Sequence, residues 1–278
     1  MADGPQRAEA TELSLPKDTP MEFGPDTPVM HAIASMRAMR RLKPDPVPDE
    51  LIETLIRAAT WGPSASNAQH YGFIAITDRA RMAELAVLWR ESQAAYQALQ
   101  GTLVPGFDDP ASQRMMDALA YQAEHFEDTP VVIAACHQRM GAEKVMANPR
   151  KVQAIAKEMG WANMRRFAAS GMASMNLGEA SSIYPAVQNL LIAARTHGLA
   201  ANLTIWHLFR EADFRELLGV PKTHGIYGLI PIGWPLGNSC RFDADRSTTS
   251  STGTSGATDR YSVGRLGKVT GRLRGPRT

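Results

Sequence analysis

The sequence has few of the residues that hold small or metal-dependent proteins together. Its two cysteines, Cys136 and Cys240, are far apart and form no CxxC pair. This argues against a disulfide framework and against a cysteine-based zinc site. The seven histidines show no HExxH or comparable ligand spacing. These absences predict a protein of a reducing compartment that carries no metal.

Long hydrophobic runs are missing as well. No apolar stretch approaches the roughly 20 residues that a membrane-spanning helix needs. The first 20 residues contain no hydrophobic core of the kind found in a secretory signal. We therefore expect a cytoplasmic protein without a membrane partner.

Charge is present, but it is unevenly distributed along the chain. The formal net charge is +2, and residues 238–278 hold eight Arg or Lys against three Asp. The other 237 residues therefore sum to −3, so the basic character belongs to the C-terminal segment. For this reason we expect no nucleic-acid partner for the protein as a whole.

Composition divides the chain into three regions. Residues 1–27 are rich in Pro, Thr and acidic residues without periodicity, which predicts a disordered N-terminal arm. Residues 28–237 have the alternating patterns of a folded domain. Residues 238–278 form a low-complexity basic tail. Two origins for this tail stay open: a flexible linker with a basic end, or a frameshift product, because a one-base shift in a back-translation restores an apolar pattern.

Apolar periodicity predicts the secondary structure of the central region. Apolar residues at helical spacing predict helices over 29–39, 48–61, 79–99, 183–197 and 208–218. Short runs rich in β-formers predict strands over 71–76, 130–136, 200–205 and 226–232. Two long segments are less regular, and we interpret 101–128 as a mobile connector with one short helix and 137–183 as helical in patches. The alternation indicates a layered α+β or α/β domain.

A cluster of arginines is the first candidate for chemistry. Arg37, Arg40 and Arg41 lie within five residues and would share one side of a continuous helix. Arginine binds phosphate through charge-assisted, often bidentate hydrogen bonds. A solvated helix face is the alternative, but Pro44 and Pro46 force an extended stretch directly afterwards and favour a binding loop.

The second candidate is the run from Pro63 to Asn67. Its small residues allow a flat ring to approach the backbone, and Ser64 and Asn67 supply hydrogen-bonding groups. Ser and Asn are also common helix caps, so this run alone does not establish a binding site.

Taken together, these stretches resemble the FMN-dependent nitroreductase family. The resemblance rests on RAMRRLKPDPVPDELIETLIRAATWGPSASNAQHYGF, on IYPAVQNLLIAARTHGLAANLT, and on LLGVPKTHGIYGLIPIGWP, in that order. These segments span about Val29 to Leu236, and their joint order is more specific than any one of them.

The resemblance implies a fold and a set of site residues. The fold would be α+β, with three α/β/α layers, a central and mostly antiparallel sheet, and an intertwined homodimer with two FMN sites at its interface. The basic loop would hold the phosphate and the pyrimidine edge, the Pro63 segment would come from the partner subunit, and a backbone turn would approach the flavin ring and its N5. The cofactor-binding residues carried over are Arg37, Ala38, Met39, Arg40, Pro63, Ser64, Ala65, Asn67, Leu203 and Thr204.

The chain also departs from the family pattern. Met36 occupies the position of the family's first basic residue, and Ala38 that of its serine. One positive charge and one hydroxyl to the phosphate are therefore missing. The family's C-terminal basic residue and embracing arm are replaced by the tail, where Arg241 is the nearest cation.

The resemblance implies a reaction without a dedicated catalytic residue. NADH or NADPH would deliver hydride to flavin N5, and an electron-poor acceptor such as a nitroaromatic or a quinone would then be reduced. Two alternatives stay open: dehalogenating or flavin-degrading chemistry on the same fold, and a flavin binder without catalysis. The family's aromatic lid falls in a region that holds Trp89, Tyr96, Tyr121 and Phe126, with no basis for choosing among them.

Overall fold

A computed structural model of the protein describes residues 23–103, 110–139 and 147–237. Most of the predicted N-terminal arm and the whole tail from residue 238 lie outside the described residues. So do Cys240 and Arg241, and with them the frameshift hypothesis.

The first helix, α1, is shorter than its apolar pattern predicts. It spans Val29–Ser35, and the backbone is extended at Met36, with ψ at 130°. The apolar pattern also predicts the wrong buried face of α1, because Val29 and Ile33 are exposed whereas Ala32 and Ser35 are buried. The prediction of a helix to residue 39 is therefore wrong.

The connector after α1 is held by distant backbone groups. Met39 N–H donates to the Ala201 carbonyl at 3.3 Å, and Lys43 N–H donates to the Trp234 carbonyl at 2.8 Å. Leu42 forms an isolated β-bridge with Pro235. This tertiary pairing overrides the local helical spacing and leaves the arginine cluster on an extended segment.

Helix α2 spans Asp49–Thr60 and confirms the second predicted helix. It begins after Pro48, and its first turn carries Asp49 and Glu50 near the positive end of the helix dipole. The residues Ile52, Leu55 and Ala59 are buried at helical spacing.

The sheet has four strands in the order β1-β2-β4-β3, and every neighbouring pair is antiparallel. The strands are β1 Tyr71–Ile76, β2 Val131–Gln138, β3 Ala200–Ala201 and β4 His224–Gly233. Strand β1 lies at one edge and is only half-buried, whereas β2 is almost wholly buried.

Strand β3 is much shorter than predicted. It has two residues, and pairing resumes only as an isolated bridge between Thr204 and Leu229. Between Ala201 and Thr204 the chain leaves the sheet, and the Leu203 side chain lies over Gly228. A Cβ added at Gly228 would overlap the Leu203 side chain. The missing side chain at Gly228 therefore makes room for a turn instead of a longer strand.

A β-bulge divides strand β4 into two phases. Ala135 pairs with Gly228 whereas Cys136 pairs with Ile226, which leaves Tyr227 as the extra residue. Because of this extra residue, Ile226 and Leu229 belong to the same core cluster.

Helix α3 spans Arg79–Leu103, and α4 spans Pro110–Glu124. The interpretation of 101–128 as a connector with one short helix is wrong, because α4 is a full 15-residue helix packed on α3. The Gly, Pro and Asp residues that suggested a connector fall mostly in 104–109, outside the described residues.

The remaining helices are α5 Pro149–Met159, α6 Trp161–Thr196 and α7 Glu211–Leu217. The 36-residue α6 includes almost all of the predicted helix 183–197 and much of the region 137–183, which the sequence predicts to be helical in patches. It continues through Pro185, and Gly198, with φ at +79°, follows its C-terminus.

Two hydrophobic clusters lie on opposite faces of the sheet and establish the three-layer architecture. One joins α3, α4 and α7 to the sheet through Met82, Trp89, Leu119, Phe126, Phe214 and Leu229. The other joins α2 and α6 to the sheet through Ile52, Leu55, Ile133, Ile183, Leu190 and Ile230. The predicted α+β, three-layer fold with an antiparallel sheet is confirmed.

Candidate functional site

A cleft of about 380 Å³ opens between four parts of the chain. They are the loop that carries Arg37, Arg40 and Arg41 (the arginine loop), helices α3 and α4, and the chain after β3. Its walls are mostly apolar. The lining residues are Arg40, Tyr96, Leu99, Met115, Leu119, Gln122, Asn202, Leu203, Thr204, Ile205, Trp206, Leu208 and Phe209. Such a volume and composition are typical of sites for small organic ligands.

Arg40 is the charged residue of this lining. The backbone pairing of Met39 with Ala201 and of Lys43 with Trp234 fixes the loop on either side of it. Its Nε is buried without a hydrogen-bond partner, while one terminal nitrogen donates to the Ala38 carbonyl at 3.4 Å. Burial lowers the pKa of Arg40 from its ordinary value, against the opposing effect of Tyr96. A desolvated donor of this kind favours an acceptor that enters the cleft.

The three arginines diverge, so the expectation that they share one helix side is wrong. Arg41 lies over the Tyr121 ring, with its Cζ 5.1 Å from the ring centroid. Arg37 is exposed, and its charge acts on Arg195 near the end of α6. Only Arg40 of the three lines the cleft.

The chain after β3 provides the cleft with a rigid backbone. Thr204 and Leu229 exchange two backbone hydrogen bonds, of 3.0 and 2.9 Å. Trp206 N–H donates to the Thr204 hydroxyl at 3.3 Å. The structure thus brings the predicted residues Arg40, Leu203 and Thr204 to a single cleft.

The second predicted segment lies elsewhere in the same chain. Gly62 packs directly against Ala186 of α6, and Ala65 N–H donates to the Ser182 hydroxyl at 3.1 Å. Pro63, Ala65 and Asn67 are exposed, and Ser64 is half-buried. The segment does not line the cleft. That it serves a different subunit's site stays a prediction.

This segment has an unusual backbone. Three of its non-glycine residues, Ser66, Asn67 and Gln69, have φ between 51° and 53°. The Ser64 hydroxyl accepts the Gln69 N–H at 3.0 Å and closes the loop. Left-handed conformations at non-glycine residues cluster at functional loops, because surrounding contacts must hold them.

One of the four candidate lid aromatics reaches the cleft. Trp89 and Phe126 are fully buried and stack with their centroids 4.1 Å apart, so they belong to the core. Tyr121 contacts Arg41 and His125. Tyr96 lines the cleft and lies beside Trp206, with centroids 5.5 Å apart.

Histidine chemistry is not built into the cleft. His207 is fully buried, and its Nε2–H donates to the Ile226 carbonyl over 2.8 Å. Burial lowers the pKa of His207 and favours the neutral ring. The buried end of α6 is held differently, because Asn189 donates to the Ala58 carbonyl at 3.4 Å and ties α6 to α2.

Two further features are absent from the described part of the chain. Within residues 23–103, 110–139 and 147–237, no group of three or more His, Cys, Asp or Glu could hold a metal ion. In the same ranges no helix is long and apolar enough to cross a membrane.

The structure is therefore an α+β protein whose mostly apolar cleft contains one arginine with a buried, unpaired Nε. The chain belongs to the nitroreductase family, whose sequence profile matches residues 33–234. This match confirms the resemblance, and it makes the protein an oxidoreductase of the nitroreductase class.

Individual relatives are distant. An NADH dehydrogenase of Thermus thermophilus is 23% identical over 207 residues, covering 73% of this chain and 85% of the relative. An iodotyrosine deiodinase structure bound to FMN and 3-iodo-L-tyrosine has a TM-score of 0.53 at 15% identity, over 85% of this chain and all of that one. A nitroreductase of Desulfitobacterium hafniense with bound FMN has a TM-score of 0.51 at 16% identity, over 79% and 95% of the two chains. Both structures share the fold.

Sequence reasoning missed two polar residues of the cleft, Gln122 and Asn202. Gln122 lies on the same face of α4 as Met115 and Leu119, at positions i, i+4 and i+7. If this segment is predicted as a helix, Gln122 stands out as one amide on an otherwise apolar face. Asn202 carried no signal, because it lies in a segment read as a strand.

Proposed function

We propose that the cleft binds FMN and that the protein transfers reducing equivalents from NADH or NADPH to an electron-poor acceptor, such as a nitroaromatic or a quinone. The observation that carries the proposal is Arg40, a half-buried guanidinium whose Nε is buried and unpaired, in a mostly apolar cleft. FMN, when bound, supplies the hydride chemistry, which side chains cannot perform alone.

The donor set fits the flavin ring. Arg40 offers a desolvated N–H to a ring carbonyl or to the negative charge of a reduced ring. Leu203 and Thr204 present backbone that β4 holds in place, and the apolar walls suit the flat body of the ring. Arg40 therefore binds and orients the ring, while Leu99, Met115 and Leu119 exclude water.

The phosphate end has a second source of positive charge. Arg37 is exposed, and its charge helps to lower the pKa of Arg195 to about 10, after the larger effect of burial. An anion placed near both guanidinium groups would relieve their repulsion. Arg195 itself is 2% exposed and donates to Ser35, so Arg37 is the cation available to a phosphate, and neither arginine replaces the hydroxyl that Ala38 lacks.

The site would be completed by a second copy of the chain. Pro63, Ala65 and Asn67 are exposed, in a loop whose conformation is already fixed by Ser182 and Ser64. We infer a homodimer in which this loop faces the other subunit's flavin. Exposed apolar side chains nearby support such an interface, above all Trp61 with an exposed fraction of 74%. The cytoplasmic location stays a prediction.

Among the residues that the structure describes, the cleft lining contains no carboxylate and no histidine. The protein residues therefore act by binding, by orientation and by electrostatics, and no proton-transfer residue is assigned. A reaction without a catalytic side chain stays a prediction.

Flavin binding tests the proposal directly. FMN added to the purified protein should bind with quenched fluorescence, and its absorption should bleach when NADH or NADPH is added without air. Arg40→Met should weaken FMN binding about 30-fold, because a hydrogen bond to a charged group contributes about 2 kcal/mol. Arg41→Met is the matched control and should bind FMN as the unmodified protein does.

A protein that binds no FMN, or that binds it equally well after Arg40→Met, contradicts the proposal. Turnover separates the remaining alternatives. Reduction of a nitroaromatic supports the proposed acceptor, and loss of halide from a halogenated phenol supports dehalogenation. Flavin that binds but is reduced by neither nicotinamide would identify a non-catalytic binder.

A further inference from the structure

A buried arginine lies at the C-terminal end of α6, outside the cleft lining. Arg195 stands in the last turn of the helix, and only 2% of its surface is exposed. A cation is favourable there because the carbonyl groups that end a helix carry partial negative charge. Burial of a guanidinium is nevertheless costly unless its N–H groups are hydrogen-bonded. The contacts of Arg195 therefore indicate its role.

One contact joins Arg195 to the end of α1. Arg195 Nε–H donates to the Ser35 hydroxyl oxygen at 3.0 Å, across 160 positions of the sequence. Ser35 is itself 2% exposed, and its hydroxyl donates to the His31 carbonyl at 2.8 Å within α1. The hydroxyl is thus a donor to its own helix and an acceptor from α6. This pair fixes the last residue of α1 against the end of α6.

The segment before α1 covers the same guanidinium. The Cζ of Arg195 lies 3.9 Å from the centroid of the Phe23 ring, which is a cation–π contact. Thr27 holds this segment in place, because its hydroxyl donates to the Thr196 carbonyl at 3.1 Å. Gly198 leaves room for the aromatic residue, since a Cβ added there would lie 3.1 Å from the Phe23 Cβ. The guanidinium is therefore covered as well as hydrogen-bonded.

The anchored end of α1 leads directly into the arginine loop. Arg37 follows Ser35 by two residues, after α1 has ended. Met39, two residues further on, donates its N–H to the Ala201 carbonyl. Arg37 therefore lies between two fixed points of the backbone, one held by α6 and one held by β3. Burial and, to a smaller degree, the charge of Arg37 lower the pKa of Arg195, which agrees with their proximity.

We propose that Arg195 is a positioning residue, which fixes Arg37 through Ser35 and thereby gives the site its preference for a flavin that carries a phosphate. This inference rests on the proposed function, in which Arg37 is the cation available to the phosphate of FMN. A loop without this anchor would have to be ordered when the ligand binds, and that ordering would offset part of the gain from the phosphate contact. Phe23 contributes by holding the guanidinium beside Ser35.

FMN and riboflavin differ in the phosphate and therefore test the proposal. Their dissociation constants are measured by quenching of flavin fluorescence on the purified protein. The unmodified protein should bind FMN about 30-fold more tightly than riboflavin, as expected for one charge-assisted contact. Ser35→Ala removes the acceptor of the Arg195 N–H, so this preference should fall to about threefold while riboflavin binding changes by less than about twofold. Phe23→Leu keeps an apolar cover but loses the ring, and the preference should fall to about tenfold.

Two further variants are the controls. Arg37→Met removes the cation itself and should reduce the preference for FMN to about threefold or less. Ser92→Ala changes a buried serine of α3 that does not line the cleft, and it should keep the preference of the unmodified protein. Phe23 is only half-buried, so Phe23→Leu decides the question if Ser35→Ala does not fold.

An unchanged preference for FMN in Ser35→Ala, or in Phe23→Leu if the serine variant does not fold, overturns the proposal. Equal weakening of FMN and riboflavin also overturns it, because the pair then supports only the fold. If the preference survives Arg37→Met, or if the unmodified protein binds both flavins equally, the assignment of Arg195 fails although flavin binding stands. If neither flavin binds, the proposed function fails together with this inference.

Discussion

The two faces of the sheet satisfy their buried polar groups to very different degrees. Among the residues that the structure describes, five buried side-chain atoms lack a hydrogen-bond partner, and all lie on the side of α3 and α4. They belong to Arg40, Trp89, Ser92, Gln122 and His207.

On the opposite face the buried polar groups are paired. Ser182 accepts the Ala65 N–H, Glu179 accepts the Tyr227 hydroxyl, and Arg195 donates to Ser35 at 3.0 Å. The close contact of Gly62 with Ala186 adds tight backbone packing there. The α2 and α6 face therefore contributes stability, whereas the α3 and α4 face carries unpaired polar groups, two of which line the cleft.

The tightest contact of the stable face should give the largest mutational effect. Gly62→Ala would place a Cβ 2.6 Å from the Ala186 Cα and 2.7 Å from its nitrogen, and backbone atoms cannot move aside cheaply. We expect the free energy of unfolding to fall by about 3 kcal/mol, as for other overpacked sites. Denaturant unfolding measures the change.

Gly72→Ala is the control for this substitution, since no atom lies within 4 Å of its added Cβ. It should change the free energy of unfolding by less than about 1 kcal/mol. Equal effects at both glycines would show that the contact between α2 and α6 does not control stability.

Two buried serines compare hydrogen-bond satisfaction on the two faces. Ser182→Ala removes the acceptor of the Ala65 N–H at 3.1 Å and should destabilise the protein by about 1–2 kcal/mol. Ser92→Ala removes a hydroxyl that has no partner, so stability should stay the same or rise by up to about 1 kcal/mol. The midpoints of thermal unfolding check both. If Ser92→Ala lowers stability as much as Ser182→Ala does, the two faces of the sheet do not differ in how well their buried polar groups are hydrogen-bonded.

A smaller effect should appear as a pH dependence of stability. Burial lowers the pKa of His207 from 6.5, while its hydrogen bond to Ile226 and the charge of Glu211 oppose this shift. Above pH 6.5 both folded and unfolded states are neutral at this residue. As the pH falls below 6.5, the unfolded state takes up a proton that the folded state resists. Stability therefore falls, by at most about 1.4 kcal/mol per pH unit.

His207→Gln removes this ionisable group and isolates its effect. The advantage of the unmodified protein over the variant should be largest near pH 7.5 and should shrink towards pH 5.5 in urea unfolding experiments. A difference that is constant across this pH range would contradict a lowered pKa at His207.

Features with a local cause could be predicted from the sequence. The start of α2 follows from Pro48 and two acids, and its end follows from Gly62. Arg40, Leu203 and Thr204 were selected through the family resemblance, and the structure places all three on one cleft. The roles of the predicted site residues as flavin ligands stay a prediction.

Features with a distant cause could not be predicted in this way. Apolar periodicity predicts that α1 continues through the arginines. Backbone hydrogen bonds of Met39 with Ala201 and of Lys43 with Trp234 instead hold that segment in an extended conformation. The partner of each group lies far along the chain. Likewise, the hydrogen-bond partner of Gln122 is Asn202, which lies 80 positions away in the sequence.

The order of the strands has a consequence for how the chain folds. Strand β4 is the last element described and yet pairs with both β2 and β3, so Val131 must find Ile232, which lies 101 residues further along the chain. Pairings of such high contact order fold slowly, because loop closure precedes the gain from contacts. During synthesis, β2 therefore has one open edge until β4 emerges from the ribosome. Residues 224–233 thus cover a strand edge that, while unpaired, is a general route to aggregation.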